Sequence, residues 1–215
     1  MKSDGSILDI SGKNNCYDSL FAGCSLLTSA PVLPATKLSL YCYSNMFGGC
    51  TSLTQAPALP ATTLAGNCYY KMFSGCTSLI STPSILPATI LDSWCYCSMF
   101  QGCTSLIHTP LLPATELVGC CYYRMFLGCT SLTAAPKLPA TTLASSCYEG
   151  MFSGCSKLAS MDVNFTTWGS SGGTNDWVNG VGTDVSGEKT FTCPSTLPKI
   201  YSNHYIPSGW TVIEK

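Results

Sequence analysis

An α/β repeat solenoid of about six 26-residue coils, closed by a β-rich C-terminal cap, is the fold class this sequence predicts. Three observations predict it. A twelve-residue phrase recurs almost letter for letter, as CYYKMFSGCTSL (68–79), CYCSMFQGCTSL (95–106) and CYYRMFLGCTSL (121–132). Cysteines 16, 42, 68, 95, 121 and 147 open six copies spaced 26, 26, 27, 26 and 26 residues apart. A proline pair returns downstream in the first five copies, in APVLPAT (30–36), APALPAT (56–62), TPSILPAT (82–89), TPLLPAT (109–115) and APKLPAT (135–141). Self-similarity at a fixed period of roughly 20–50 residues is the signature of a stacked array, because one such unit cannot bury its own apolar face.

Each coil reads as two short sides. The CYxxMFxGC side carries Tyr, Met and Phe at spacings suited to one or two turns of helix or 3₁₀ structure, ended by glycine. Phe21, Phe47, Phe73, Phe100, Phe126 and Phe152 form its aromatic column, and a second cysteine follows each opening one by eight residues. The LTxAPxLP side is extended, since proline fixes φ and forbids a continued helix. Its leucines and a small residue, such as Leu53, Ala56 and Leu59, point inward. The extra residue of the third spacing falls within Ser84–Leu86, as loop-like tolerance. Stacked coils turn these columns into one ribbon core, to which each buried aromatic contributes about 150–250 Å² at about 25 cal/mol per Å².

The array spans 16–160, where the sixth copy breaks off after GCSKL. Residues 1–15 are expected to form an N-terminal cap and 161–215 a C-terminal one. Phe165, Trp168, Trp177, Phe191, Tyr201, Tyr205 and Trp210 would seal the apolar end. A small independent domain is the alternative, with GSSGG (169–173) as the strongest linker signal.

Composition narrows the function. Hydrophobic residues make up 46% of the 215 residues and charged ones only 10%, with a net charge of −1. Disorder from low hydrophobicity is excluded, and no global field draws in phosphate backbones or anionic lipid, so nucleic acid is not an expected partner. No stretch matches a membrane-spanning helix of roughly 20 apolar residues. The opening MKSDGSILDISGKNN has no apolar run like that of an export signal, so the chain is read either as a fragment or as reaching its destination by another route.

The run FxGCTSLTxAPxLPATxL resembles the leucine-rich repeat of the BspA-like surface proteins of gut and oral bacteria, over about residues 16–160. TNDWVNGV (174–181), FTCPSTLP (191–198) and IPSGWTV (206–212) resemble the end cap of such proteins. The resemblance implies a parallel β-sheet along one face, with irregular or short helical structure on the other. It also implies a cell-surface or extracellular location and a role in adhesion or host contact.

Fifteen cysteines invite other readings. Pairing within a copy is disfavoured if the segment between is helical, because eight residues would hold the Cα atoms about 12 Å apart, against roughly 4.4–6.8 Å in a disulfide. Two ladders of buried free thiols are the preferred reading. Disulfides between equivalent cysteines of adjacent coils stay open, although an odd total leaves one thiol over. No CxxC pair makes a zinc knuckle, so no metal is expected. Cys97 and Cys120 stand outside the ladders in variable columns and read as exposed; Cys193 lies in the cap.

No catalytic residues or cofactor are expected. The charged residues of 16–160 fall in different columns and copies, no carboxylate dyad or phosphate loop occurs, and His108 has no orienting carboxylate in its own coil. Recognition is expected instead on columns that vary between copies. One is Ser29, Gln55, Ser81, His108 and Ala134. Another is Val32, Ala58, Ser84, Leu111 and Lys137. Tyr41 and Trp94, on the other side, would stack on sugars or anchor a partner. A row of threonines (Thr36, Thr62, Thr89, Thr115, Thr141) reads as satisfying backbone groups. Two functions follow: a module that binds protein or glycan, or a structural spacer such as a phage appendage component with no soluble ligand.

Overall fold

The computed structural model describes residues 10, 12–169 and 171–215, so most of the expected N-terminal cap lies outside the described residues. Within them there is no α-helix. The helical side expected from CYxxMFxGC is a run of consecutive turns, and the α part of the fold class is thereby corrected. In the second copy Tyr41, Tyr43 and Asn45 have φ of 58°, 58° and 47°, and Gly49 has 73°. Left-handed residues thus alternate with ordinary ones. This alternation divides the backbone donors into two sets. Ser44, Gly48 and Cys50 close local turns by donating to Tyr41, Asn45 and Phe47. Asn45, Phe47 and Gly49 donate to Tyr70, Met72 and Ser74 of the following copy, at 2.6, 2.9 and 2.8 Å. A helix would satisfy its amides internally and leave none to join neighbours. A left-handed non-glycine residue costs about 1–2 kcal/mol, which the cross-copy hydrogen bond and the stacking it permits offset.

On the proline side the copies meet at isolated parallel bridges, Lys37 with Thr63, Thr63 with Ile90, Gln55 with Ser81 and Ile85 with Leu111. Each proline removes a ladder donor, which is why no continuous strand forms there. A regular sheet appears only where the prolines stop. Strands β1 (Ser160–Asp162), β2 (Thr190–Cys193) and β3 (Thr211–Glu214) pair in parallel in that order. Their register sets Met161 against Phe191 and Phe191 against Val212. Among the described residues the molecule is β-rich, with few strands and one parallel sheet.

The inward columns pack in register. The phenylalanine rings of successive copies stack at 5.5–5.7 Å between centroids. A second column, Tyr17 through Tyr148, stacks at 5.6–5.9 Å. Methionines 46, 72, 99, 125 and 151 and leucines 53, 79, 106, 132 and 158 are buried alongside. All fifteen cysteines are free thiols. The second ladder has a repeated role: the thiols of Cys50, Cys76, Cys103, Cys129 and Cys155 each donate at 3.1 Å to the phenylalanine carbonyl of the preceding copy. Phe47 O therefore accepts both Cys50 N and Cys76 Sγ. The cysteine here is a small apolar filler with a weak donor that ties two copies together. Cys97 is buried, not exposed as expected, and Cys120 is half-buried.

One junction differs. Tyr43 N and Tyr69 N donate back to Cys16 O and Cys42 O, whereas Tyr96 N and Tyr122 N donate forward to Cys121 O and Cys147 O. Tyr17, Tyr43 and Tyr69 have positive φ and Tyr96 does not. The peptide preceding the tyrosine reverses between the third and fourth copies, where the extra residue also lies. Tyr69 and Tyr96, either side of this junction, have buried hydroxyls without a hydrogen-bond partner.

Stacking does not stop at residue 160. Tyr148, Gly150, Phe152 and Gly154 donate to the carbonyls of Gly173, Asn175, Trp177 and Asn179, so the TNDWVNG segment continues the turn side. Trp177 takes the place of the phenylalanine, its centroid 6.3 Å from that of Phe152, and its indole N–H donates to Tyr205 O at 2.8 Å. Trp168, Phe165 and Phe191 pack round it edge-on. The expected sealing residues are buried or half-buried except Tyr201, which is exposed.

Candidate recognition surfaces

Four outward features stand out on this scaffold. On the proline side, Ser29, Gln55 and His108 are exposed and Ser81 is half-buried. The Gln55–Ser81 bridge shows that neighbours in this column adjoin across copies. In the next column Ile85, not Ser84, is the residue bridged to Leu111, so the inserted residue is accommodated before Ile85. The corrected column, Val32, Ala58, Ile85, Leu111 and Lys137, is exposed throughout and more apolar than the sequence suggested. Between the prolines lie two dimples, of about 300 Å³ beside Val32 and Ala58 and about 220 Å³ beside Ala58 and Ile85.

The turn side presents Tyr41 and Trp94, 44% and 40% exposed, in one column two copies apart. Asn67 stands between them, and their backbones are linked through Gly66 O and Ser93 O. Trp94 does meet an aromatic neighbour: the ring of Tyr123 lies 5.7 Å away, tilted by 52°. The Arg124 guanidinium sits 4.8 Å over Tyr123, and the Lys71 ammonium 5.2 Å over Tyr70. Cations over aromatic faces hold these side chains against the surface.

A third feature escaped the sequence reading. A groove of about 620 Å³ runs across five copies between the turn and proline sides. Ser78, Ser105 and Ser131 line one wall, Thr54, Ile80, Ile107 and Thr133 the other, and Lys157 stands at one end. The column is serine in the four central copies (Ser52, Ser78, Ser105 and Ser131), with Leu26 and Lys157 at its ends, so a search for variable columns passed over it. The exchange of threonine for isoleucine in two adjacent copies was the available signal. The fourth feature is a concavity of about 200 Å³ at the first copy, lined by Ile10, Tyr17, Leu20, Phe21, Val32 and Met46 among others. Leu20 is 53% exposed there.

Chemically, the buried thiols are poor nucleophiles. Burial pushes Cys76 and Cys155 from the ordinary 9.0 up to about 12, and Cys97 to about 11. Cys103 and Cys129 are raised well above 9.0 for the same reason. A protonated thiol neither attacks nor ligates well. Among the described residues the ion pairs of Lys199 with Glu214 and Lys215 with Asp162 lie in the tail, where His204 Nδ1 accepts a hydrogen bond from Asp176 N at 2.9 Å. Among the described residues no three His, Cys, Asp or Glu side chains are grouped to hold a metal, and no helix is long and apolar enough to cross a membrane. The exposed threonine row is available to solvent rather than interior. In comparisons with known proteins, the chain matches no family model, no curated protein and no solved structure.

Proposed function

We propose that the chain is a non-enzymatic recognition or adhesion module, a leucine-rich-repeat solenoid of the BspA-like kind that binds protein or glycan through its outer surface. In this reading it works at a bacterial cell surface or in the extracellular space. The observation that carries it is the division of labour between columns. Inward positions keep Tyr, Met, Phe, Cys and Leu in nearly every copy, while the column Ser29, Gln55, Ser81, His108 and Ala134 changes residue at each step. A scaffold that repeats its core and varies its exterior suits ligand contact. The raised thiols and the scattered charges favour binding over catalysis.

The test is binding of the full chain to arrays of host extracellular proteins and of glycans. The expected result is saturable binding, competed by soluble ligand and weakened by Trp94→Ala or by His108→Ala. Contact confined to the two ends of the array, with no soluble ligand at any concentration, would instead make the chain a structural spacer.

A further inference from the structure

We propose that the Ser/Thr–Ile groove takes an extended, uncharged glycan chain, one sugar residue per repeat; this rests on the recognition reading above. The lining chemistry comes first. Thr51, Thr104 and Thr130 use their hydroxyls within the fold, donating to carbonyls of the preceding copy. Among the described residues the hydroxyls of Ser78, Ser105, Ser131, Thr54 and Thr133 make no such hydrogen bond. They are free donors and acceptors along both walls. In the same wall as Thr54 and Thr133, Ile80 and Ile107, 48% and 39% exposed, form an apolar stretch two copies long. A pyranose matches this division: its C–H faces are apolar and its hydroxyls lie round the rim. No charged side chain lines the groove before Lys157, so a charged ligand would lose solvation there without gaining a partner.

Spacing then separates glycan from peptide. Equivalent rings of successive copies lie 5.5–5.7 Å apart on the phenylalanine side. Parallel bridges on the other side imply about 4.8 Å. The groove lies between the two, so its period falls within that range. An extended peptide presents equivalent side chains every two residues, about 6.6 Å, and slips by about 1 Å or more at each copy. A β-1,4-linked pyranose chain advances by one ring and one bridging oxygen per residue and turns over at each step, so two sugars span two copies and the same contact returns at every second copy. Affinity therefore grows as sugars are added along the groove, as effective concentration dictates for linked sites.

The experiment titrates the full chain with β-1,4-linked glucose and N-acetylglucosamine oligomers, from disaccharide to hexasaccharide, by calorimetry. Affinity is expected to climb with each sugar up to the pentasaccharide, matching the five copies that line the groove, and then to level off. Ile107→Arg, at an exposed position, should lower it by about tenfold or more, with near-UV dichroism unchanged; Ser105→Gln, which fills the same stretch, gives an independent reading. Absent binding, affinity independent of length, or binding indifferent to both substitutions overturns the assignment. If a partner from the arrays is lost with Trp94→Ala and kept with Ile107→Arg, the groove proposal falls while recognition stands; if nothing binds on the arrays, recognition itself falls.

Discussion

Phe73→Ala tests the stacked spine most directly. Phe73 is fully buried, its ring 5.5 Å from Phe47 and 5.6 Å from Phe100, nearly parallel to both. Truncating a buried phenylalanine costs about 3–5 kcal/mol from lost transfer energy and the cavity left behind. Losing two aromatic pairs at about 0.5–1.5 kcal/mol each places this site toward the upper end. Phe21→Ala is the internal control. Phe21 is half-buried and has one stacked neighbour, Phe47, at 5.5 Å, so its truncation should cost less than half as much. Phe73→Leu keeps apolar volume and loses only the ring, for an expected cost of about 1–3 kcal/mol. Urea unfolding followed by far-UV and near-UV dichroism reads all three. Because the array is held by contacts between neighbours, a central defect should also split the transition in two, while an end defect should not. A loss under about 1 kcal/mol for Phe73→Ala, or equal losses at Phe73 and Phe21, would refute the spine.

Three further outcomes follow from the thiols and phenols. In denaturant all fifteen cysteines should alkylate without prior reduction, and in the native protein Cys24 should react first, then half-buried Cys16 and Cys120; a mass deficit from disulfides would contradict this. Alkaline pH should destabilise the fold. The folded Cys76 and Cys155 thiols ionise near 12 and the unfolded ones near 9.0, so above 9.0 the unfolded state binds fewer protons. Their contribution is full below 9.0 and is lost as pH climbs toward 12, by about 1.4 kcal/mol per pH unit for each thiol, and stability that stays flat across that window in reducing buffer would contradict the burial. Tyr96→Phe removes a buried hydroxyl that has no partner, so stability should hold or rise; a loss above about 1 kcal/mol would mean the hydroxyl is hydrogen-bonded, for instance to a bridging water.

The fold was legible wherever burial forces the same choice in every copy. Phe73, Cys76 and Leu79 could be placed inward from their recurrence alone, since each stacked unit meets the same environment as the last. The turn side was misread because Tyr, Met and Phe at short spacings fit a helix and a turn ribbon equally well. The discriminating signal lay at the left-handed sites. Asn15, Asn45, Asn67 and Gly150 occupy them, residues that tolerate positive φ, but Tyr41, Lys71 and Arg124 hold equivalent places and hide the pattern. There the tertiary hydrogen bonds to the next copy outweigh local preference, and no single-chain propensity reveals that. The expected parallel sheet is reduced to isolated bridges along the proline-bearing copies for a reason that was visible, two prolines in each extended side.

The candidate sites were harder to read because recurrence has two causes that look alike in sequence. A residue recurs if every copy buries it, and also if every copy offers it to a periodic ligand. Serine holds one column through four successive copies, yet Ser78, Ser105 and Ser131 line an open groove while Phe73 is sealed. Variation marks only contacts that differ along the array, such as Trp94 beside Tyr123, and is blind to contacts that repeat. Hydrogen-bond accounting separates the two causes. The Thr104 hydroxyl is spent on Thr77 O, whereas the adjacent Ser105 hydroxyl has no partner among the described residues. A polar side chain kept in copy after copy without a role in the fold points outward to something that shares its period.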